Sequence, residues 1–212
     1  MIVAKRMMRN PVFVDENDSM KKAMDVLRER EIRHLCVLKD GEKLVGVVSE
    51  RDIKQASPSP ATALEIREIY YLLDKVKVKQ IMTRRPYTIS PSAPIEEAAL
   101  IMREKKIGCL PVVDGGRLVG ILTETDILDA FIDSMGVSGP GYRVELGLPD
   151  EPGMLFEVTK LLKDFDAKIV SVATAPHDEA GRKTLILRLE AKNYKVLKAA
   201  MKKAGYEIIS AD

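Results

Sequence analysis

Cysteine, histidine and tryptophan are scarce in this chain of 212 residues, which has two cysteines, two histidines and no tryptophan. Cys36 and Cys109 lie far apart, and each is followed by a hydrophobic residue, which is typical of reduced thiols in a core rather than of a disulfide framework. No cysteine or acidic residue stands at a metal-binding spacing from His34 or His177, and neither cysteine has a predictable base beside it. We therefore expect no metal site and no nucleophilic catalysis.

A strong net charge and a long apolar run are also missing. The 34 Lys and Arg residues nearly balance the 32 Asp and Glu residues, so the formal net charge of +2 provides no global attraction for nucleic acid or an acidic membrane. No segment approaches the roughly 18 apolar residues of a membrane span, and residues 1–10 lack the features of a signal peptide. We predict a cytoplasmic protein that binds neither nucleic acid nor membrane.

What the chain does contain is an internal repeat, since Pro11 recurs as Pro86 at an offset of 75 residues. The spacing i, i+3, i+4, i+7 of apolar residues predicts one helix with a buried face in each copy. These residues are Met20, Ala23, Met24 and Leu27 in the first copy and Ile95, Ala98, Ala99 and Met102 in the second.

Each predicted helix is followed by two predicted strands. Residues 32–38 and 107–113 are short apolar runs, and the Asp-Gly turns after them predict hairpins with second strands at 44–49 and 118–123. Each second strand ends in the pattern Gly-x-x-Ser/Thr-x-x-Asp, where another helix begins. The pattern comprises Gly46, Ser49 and Asp52 in the first copy and Gly120, Thr123 and Asp126 in the second.

This order of elements, closing on that pattern, resembles the CBS domain, and its duplication over residues 1–134 resembles a Bateman module. The boundaries that we predict are 1–57 for the first CBS domain, 58–75 for a helical insert and 76–135 for the second CBS domain. The insert would begin with Ser59 as N-cap, and its apolar residues, which include Leu64 and Tyr70 to Leu73, favour burial against a partner subunit.

A third module follows a glycine-rich linker at 136–141. Residues 142–212 predict the order strand, helix, strand, strand, helix, strand, a ferredoxin-like βαββαβ arrangement. The turn at 148–155 resembles the strand-to-helix turn of an ACT domain. The predicted fold class is therefore α/β (α+β), and the combination of a CBS pair with a C-terminal ACT domain is similar to the acetoin utilisation protein AcuB family.

The Ser/Thr-x-x-Asp patterns have two interpretations, which the residues alone leave open. Each is a capping box that explains the start of a helix. The same helix-terminal amides, hydroxyl and carboxylate suit a phosphate and a ribose. By resemblance to nucleotide-binding CBS domains, Asp52 and Asp126 would hold ribose, with Ser49 and Thr123 near ribose or phosphate. Adenine would lie against apolar strand residues such as Val12, Val14, Val37, Thr88, Ile89 and Val112.

The copies differ where phosphate contacts would be made, so two sites need not be equivalent. Arg33, His34 and Arg51 occur in the first copy, where glycine, cysteine and threonine stand in the second. An arginine on a phosphate contributes about 1.5–3 kcal/mol. Alternatively, the arginines are solvated or paired with Glu31 and Glu50, and His34 is a satisfied cleft histidine rather than a phosphate contact or a pH-sensitive group.

In the third module, the ACT resemblance implies that Asp150, Gly153, Met154 and Leu155 face an effector at a dimer interface. Alternatively, Asp150 is a helix N-cap and Gly153 a tight-turn residue without a ligand. The turn lacks the asparagine that is common in serine-sensing relatives, which leaves the identity of an amino-acid effector open.

We interpret the chain as a regulatory ligand sensor and not an enzyme. It would require no cofactor and would bind an adenine nucleotide (AMP, ADP, ATP or S-adenosylmethionine) as a regulatory ligand, with an amino acid or similar effector at the ACT domain. It would act as a homodimer on an unknown regulated protein. The alternatives are a non-binding dimerisation module of a metabolic complex and an enzyme of acetoin or amino-acid metabolism, for which the sequence has no paired catalytic carboxylates or phosphate-cradling loop.

Overall fold

The computed structural model describes residues 1–57, 66–176 and 182–211, and the chain divides into two compact units, Met1–Ile127 and Leu128–Asp212. The predicted cap Ser59, the apolar Leu64 and His177 lie outside the described residues. The mixture of helices and strands confirms the predicted α/β (α+β) class. The strands and α-helices that begin in the first unit are, in chain order, β1 (Met8–Arg9), β2 (Phe13–Asp15), α1 (Met20–Glu29), β3 (His34–Lys39), β4 (Lys43–Ser49), α2 (Glu50–Ala56), α3 (Ile66–Lys75), α4 (Val78–Ile81), β5 (Thr83–Arg84), α5 (Ile95–Lys105), β6 (Cys109–Asp114), β7 (Arg117–Thr123) and α6 (Glu124–Ser134).

The two predicted repeat helices are present as α1 and α5. The side chain of Ser19 caps α1 by accepting a hydrogen bond from the amide of Lys22, and Met20, Ala23 and Leu27 form its buried face. In α5 the buried residues Ile95, Ala98 and Met102 occupy the equivalent positions. The periodicity thus correctly identifies which face of each helix enters the core.

Each repeat also contains the predicted antiparallel hairpin, β3 with β4 and β6 with β7. In the first repeat, β2 adds to the hairpin in parallel through Phe13 and Cys36. The corresponding segment of the second repeat makes only an isolated parallel bridge between Ile89 and Val112. The first predicted strand of the second repeat is therefore shorter than the matching strand of the first.

The repeats exchange their leading segments, which the sequence did not lead us to expect. Strand β1 pairs with β7 of the second repeat, with Arg9 opposite Gly120, whereas β5 pairs with β4 of the first repeat, with Arg84 opposite Gly46. Farther upstream, the amide of Val3 donates to the carbonyl of Ala93 at 2.9 Å, and the amide of Val78 to that of Asp18 at 2.9 Å. Residues preceding each repeat therefore complete the sheet of the other.

The described part of the predicted insert is helix α3. Leu73 is 4% exposed and belongs to the core of the first repeat, whereas Tyr71 is 63% exposed and Leu72 42% exposed. Lys75 Nζ lies 5.2 Å from the centre of the Tyr71 ring. Leu73 thus packs on its own domain, whereas the large apolar side chains of Tyr71 and Leu72 are uncovered.

The two repeats meet through matching strands. Val47 in β4 and Ile121 in β7 pack in one apolar cluster with Cys36 and Cys109. Both cysteines are free and buried, in agreement with the sequence analysis. Burial raises the pKa of each thiol to about 12, so both are protonated over the physiological range.

The second unit has the predicted βαββαβ order. Its elements are β8 (Tyr142–Pro149), α7 (Met154–Asp164), β9 (Lys168–Pro176), β10 (Arg182–Glu190), α8 (Tyr194–Lys203) and β11 (Glu207–Ala211). The strands lie in the sheet order β11-β8-β10-β9. Alternating residues such as Val144, Leu146 and Leu148 bury one face of β8, and the two helices pack on the core through Leu162 and Leu197, among others.

The segment exchange depends on two glycines. A Cβ added to Gly46 would lie 2.5 Å from Met82 Sδ, and one added to Gly120 would lie 2.6 Å from Met7 Sδ and 2.9 Å from the Met8 carbonyl oxygen. Both glycines belong to the Gly-x-x-Ser/Thr-x-x-Asp pattern, for which the sequence predicts a ligand. Their immediate neighbours are instead the crossing segments, because β1 and β5 run directly over them.

Replacing Gly120 with alanine should therefore destabilise the first unit by about 1–3 kcal/mol, since the methyl group meets backbone as well as a flexible side chain. Urea unfolding followed by circular dichroism would measure the change. The matched control is Gly139→Ala, because the nearest heavy atom to a Cβ at that position is 3.7 Å away. Equal stabilities for the two variants would contradict the close packing at Gly120.

Candidate functional site

A cleft of about 700 Å³ lies in the first unit, where the two repeats and the exchanged segment meet. Its walls come from the start of β3, the end of β4 with the first turn of α2, residues 83–87, and the start of β6 with the first residue of α6. The sequence-predicted residues that it brings together are Arg33, His34, Ser49, Arg51 and Asp52. Residues from both repeats thus share one concave site.

The Ser49 motif has the geometry of a capping box, as predicted. Ser49 Oγ accepts from the Asp52 amide at 3.2 Å, while Asp52 Oδ2 accepts from the Ser49 amide and hydroxyl, both at 2.7 Å. No hydrogen bond within the described part of the chain uses Oδ1 of Asp52. The cap therefore fixes the position of the carboxylate and leaves one oxygen that can accept from a ligand.

Thr123 and Asp126 form the same cap at the start of α6. Asp126 Oδ2 accepts from the Thr123 amide and hydroxyl, both at 2.7 Å. Neither residue lines the cleft that contains Ser49 and Asp52. The two motifs therefore do not face one shared hollow, and a role for Thr123 and Asp126 in binding remains a prediction.

His34 lies half-buried in the cleft against the second repeat. A Cβ on Gly108 would be 3.1 Å from His34 Nε2, so a side chain at this position would crowd the imidazole. Burial lowers the pKa of His34, the Arg33 guanidinium lowers it further, and the carboxylates of Glu124 and Asp52 act in the opposite direction. The ring is therefore neutral at pH 7 and can either donate or accept a hydrogen bond.

The two predicted arginines are solvent-exposed in the cleft. Glu50 forms its ion pair with Lys54, at 2.6 Å, and this contact lowers the pKa of Glu50. Within residues 1–57, 66–176 and 182–211, neither Arg33 nor Arg51 has an ion-pair partner. The structure therefore agrees with the alternative in which both arginines are solvated and not with their pairing to Glu31 and Glu50. Lys54, one helical turn along α2, forms the ion pair with the Glu50 carboxylate instead.

The predicted adenine surface lies elsewhere. Val14 and Ile89 are buried in the protein core, Val12 packs against the core of the first repeat, and Thr88 is exposed. Val37 and Val112 are fully buried. None of these residues lines the described cleft. A contact of any of them with adenine remains a prediction.

Among the cleft residues that sequence reasoning missed are Arg84, Arg85, Tyr87 and Lys106. Tyr87 is 52% exposed, and Lys105 Nζ lies 5.4 Å from the centre of its ring. A signal for the first three was present, because the repeat extends upstream of Pro11 and Pro86, with Val3 matching Val78 and Met7 matching Met82. Only the pairing of β5 with β4 shows that this extension reaches the first repeat.

The ACT-like turn differs in detail from the expectation. The helix begins after Gly153, whose φ of 92° requires glycine, so Asp150 is not the N-cap. Asp150 instead forms an exposed ion pair with Lys183 at 2.8 Å. Met154 packs against the core of the second unit, and Leu155 is 47% exposed. Whether these residues contact an effector remains a prediction.

The described residues contain neither a candidate metal site nor a candidate membrane-spanning helix. No group of three or more His, Cys, Asp and Glu side chains there is arranged to hold a metal ion. None of the described helices combines the length and apolar character needed to cross a membrane.

Comparison with family models matches the CBS domain at residues 3–59 and 78–133 and the TTHA0829-like ACT domain at residues 140–211. The chain belongs to the CBS domain family. Its CBS pair is followed by a C-terminal ACT domain, as the sequence resemblance implied.

Relatives of the CBS pair occur both alone and within enzymes. A CBS domain-containing protein of Dictyostelium discoideum is 32% identical over 133 residues, which is 62% of this chain and 92% of the relative. The inosine-5′-monophosphate dehydrogenase of Korarchaeum cryptofilum is 34% identical over 166 residues, which is 78% of this chain but 32% of the enzyme. The likeness to the enzyme thus covers about a third of its length.

Solved structures of CBS pairs have the same fold. A putative acetoin utilisation protein (AcuB) from Vibrio cholerae is 28% identical with a TM-score of 0.53, over 65% of this chain and 95% of that one. CBSX2 in complex with AMP is 33% identical with a TM-score of 0.50, over 62% of this chain and 96% of that one. The CBS pair of protein MJ0100 in complex with 5′-methylthioadenosine and S-adenosyl-L-methionine is 29% identical with a TM-score of 0.52, over 62% and 95%.

The lowered pKa of His34 predicts a pH dependence of stability. Below the ordinary histidine pKa of about 6.5, the unfolded chain binds a proton that the folded chain resists, so His34 disfavours folding progressively as the pH falls through this range. Urea unfolding between pH 8 and pH 5 should show the His34→Gln variant losing less stability than the wild type. Parallel pH profiles for the two proteins would contradict the burial of this imidazole.

Proposed function

We propose that this CBS pair is the sensing part of a regulatory protein and that its cleft binds an adenine nucleotide, such as AMP, ADP, ATP or an S-adenosylmethionine-like ligand. The observation that carries the proposal is the capped Asp52 carboxylate, which is held at the edge of a cleft beside exposed guanidinium groups. A carboxylate oxygen suits the hydroxyls of ribose, and guanidinium groups suit phosphate.

The roles follow from the position of each group. Oδ1 of Asp52 would accept from the ribose hydroxyls, Arg33 and Arg51 would contact phosphate, and Ser49 would lie near the sugar. His34, neutral at pH 7, would donate or accept one hydrogen bond. Tyr87 offers an exposed ring on which a base can stack. Similar CBS pairs in complex with AMP and with S-adenosyl-L-methionine support this class of ligand.

The test compares two aspartates with the same local role. Asp52→Asn should weaken the binding of AMP or ADP by about tenfold or more, because a charge-assisted contact is lost. Asp126→Asn makes the matching change in the cap of α6 outside this cleft, so it should leave that affinity unchanged while costing similar stability. Isothermal titration calorimetry measures the affinities, and thermal unfolding checks the fold of both variants.

Three outcomes would overturn the assignment in different ways. Flat traces with AMP, ADP, ATP and S-adenosylmethionine would remove the nucleotide and favour a non-binding dimerisation module. Equal affinities of the wild type and Asp52→Asn would show that the Asp52 carboxylate does not contact the nucleotide. Loss of affinity in Asp126→Asn alone would move the site to the second motif.

We extend the proposal to the ACT domain, where a small amino acid or similar effector would bind beside the turn that precedes α7. The exposed Leu155 and Phe156 adjoin this turn, and the Asp150 carboxylate, 2.8 Å from Lys183, can accept from an amine. These exposed apolar side chains also support pairing with a second copy of the chain. The sensor would then act as a cytoplasmic homodimer on a separate regulated protein.

A panel of amino acids screened by thermal unfolding tests the ACT proposal. One member should raise the unfolding temperature, and Asp150→Asn should abolish that rise, because the amine loses its charged partner. Asp166→Asn is the control, since Asp166 forms a similarly exposed ion pair with Lys192 in the same unit. No rise with any amino acid, or the same rise in Asp150→Asn, would contradict the effector site.

A further inference from the structure

The cleft carries an excess of positive charge. Lys54 and Glu50 neutralise each other in their ion pair, which leaves Asp52 and Glu124 as the remaining carboxylates of the lining. They are outnumbered by the cations Arg33, Arg51, Arg84, Arg85 and Lys106, all of which are exposed at the cleft. Arg84 donates to the carbonyl oxygen of Lys79 at 3.2 Å, and this contact leaves its charge uncompensated.

Among the residues that the structure describes, Arg51, Arg85 and Lys106 form no ion pair. No carboxylate in this part of the chain therefore neutralises them by direct contact. A concave surface lined by one sign of charge concentrates its field and attracts ions of opposite sign. A ligand that carries several negative charges would gain most from this arrangement.

The fold itself does not require these cations. At the repeat offset of 75 residues, Asn10 stands for Arg85 and Glu31 for Lys106. The backbone is nevertheless the same, since φ is 53° at Asn10 and 49° at Arg85, and 52° at Glu31 and 55° at Lys106. Because a neutral and an acidic residue adopt these left-handed conformations equally, the backbone does not require basic side chains at these two positions.

A third position follows the same pattern. Arg51 in the first turn of α2 corresponds to Thr125 in the first turn of α6 at an offset of 74. With Arg33, which corresponds to Gly108, four positions are basic at the described cleft and neutral or acidic at the equivalent places of the other repeat, whereas Arg84 corresponds to another arginine, Arg9. The duplicated architecture is common to both halves, and most of the positive charge is specific to one.

We infer that this cleft selects nucleotides by the negative charge of their phosphate chain, so that it prefers ADP and ATP to AMP and rejects adenosine and S-adenosylmethionine. The inference rests on the proposed function and narrows its ligand class. The sulfonium group of S-adenosylmethionine is positively charged and would face the cations unfavourably. Each further phosphate would gain contacts with Arg85 and Lys106, two exposed cations of the same cleft lining.

The test titrates the full-length chain with adenosine, AMP, ADP, ATP and S-adenosylmethionine by calorimetry, without magnesium, at about 50 and 300 mM salt. Affinity should rise from AMP to ATP, and adenosine and S-adenosylmethionine should bind at least about tenfold more weakly than ADP. The advantage of ATP over AMP should shrink at the higher salt concentration, since exposed charges are screened.

A repeat-swap variant tests whether Arg85 and Lys106 are the residues that cause the preference for ATP over AMP. Arg85→Asn with Lys106→Glu introduces the residues that already occupy these backbone conformations in the first repeat, so folding should be retained. It should remove most of the preference for ATP over AMP. The control is Arg117→Asn with Lys43→Glu, which changes the net charge equally at exposed strand starts outside the cleft lining and should keep the preference. Arg85→Asn alone is a milder second variant and should lose part of the preference for ATP over AMP.

The outcomes separate this inference from the proposed function. If no adenine compound binds, the proposed function fails and this inference with it. If S-adenosylmethionine or adenosine binds as tightly as ATP, or if the swap variant keeps the full preference, selection by phosphate charge is wrong while nucleotide sensing stands. If the control variant loses the preference as well, the long-range field of the protein is responsible and the cleft is not.

Discussion

The first unit depends on the exchange of two short strands between its repeats. Each repeat has a hairpin whose outer strand lacks a partner within the same repeat, and the segment before the other repeat supplies that partner. The contact needs glycine at positions 46 and 120, because any side chain there would occupy the space of the crossing segment. Exchange ties the halves together more firmly than the packing of Val47 and Ile121 alone would, since it adds backbone hydrogen bonds to apolar contact.

The same exchange creates the cleft. By pairing with β4, strand β5 brings residues 83–87 of the connecting segment next to the first turn of α2. The capping box then fixes Asp52 at this edge, and Gly108 leaves room for His34. The structural device that begins α2 thus also holds a carboxylate at the edge of the cleft, where we propose that a ligand binds. The structural and the functional interpretations of the motif describe the same atoms and do not exclude each other.

Much of the fold could be predicted from the sequence because it is encoded locally. Periodic apolar residues gave the faces of α1 and α5, and the Asp-Gly turns gave the hairpins. The alternation in residues 142–148 and 183–190 gave the sheet of the ACT domain. These features depend on neighbours within a few residues, which a single sequence displays directly.

The site was only partly predictable, because its walls come from segments distant in the chain. Ser49 and Asp52 belong to a recognisable motif, but Arg85 becomes a neighbour of that motif only through strand exchange, and Lys106 only because both repeats contribute to the cleft. Resemblance predicts an adenine surface at Val14 and Ile89, whereas the structure buries both in the core. The alternative of Asp150 as a helix cap fails, because the helix begins three residues later, after Gly153. Strand pairing between distant segments and local backbone conformation are difficult to predict from a single sequence.

Hydrogen–deuterium exchange of the full-length chain, with and without saturating ADP, tests the central claim most directly. If the cleft is the sensor site, ADP should slow exchange at the amides of residues 49–54 and 83–87, with little change at residues 142–176. Unchanged exchange at both cleft segments, or protection confined to the ACT domain, would contradict the account.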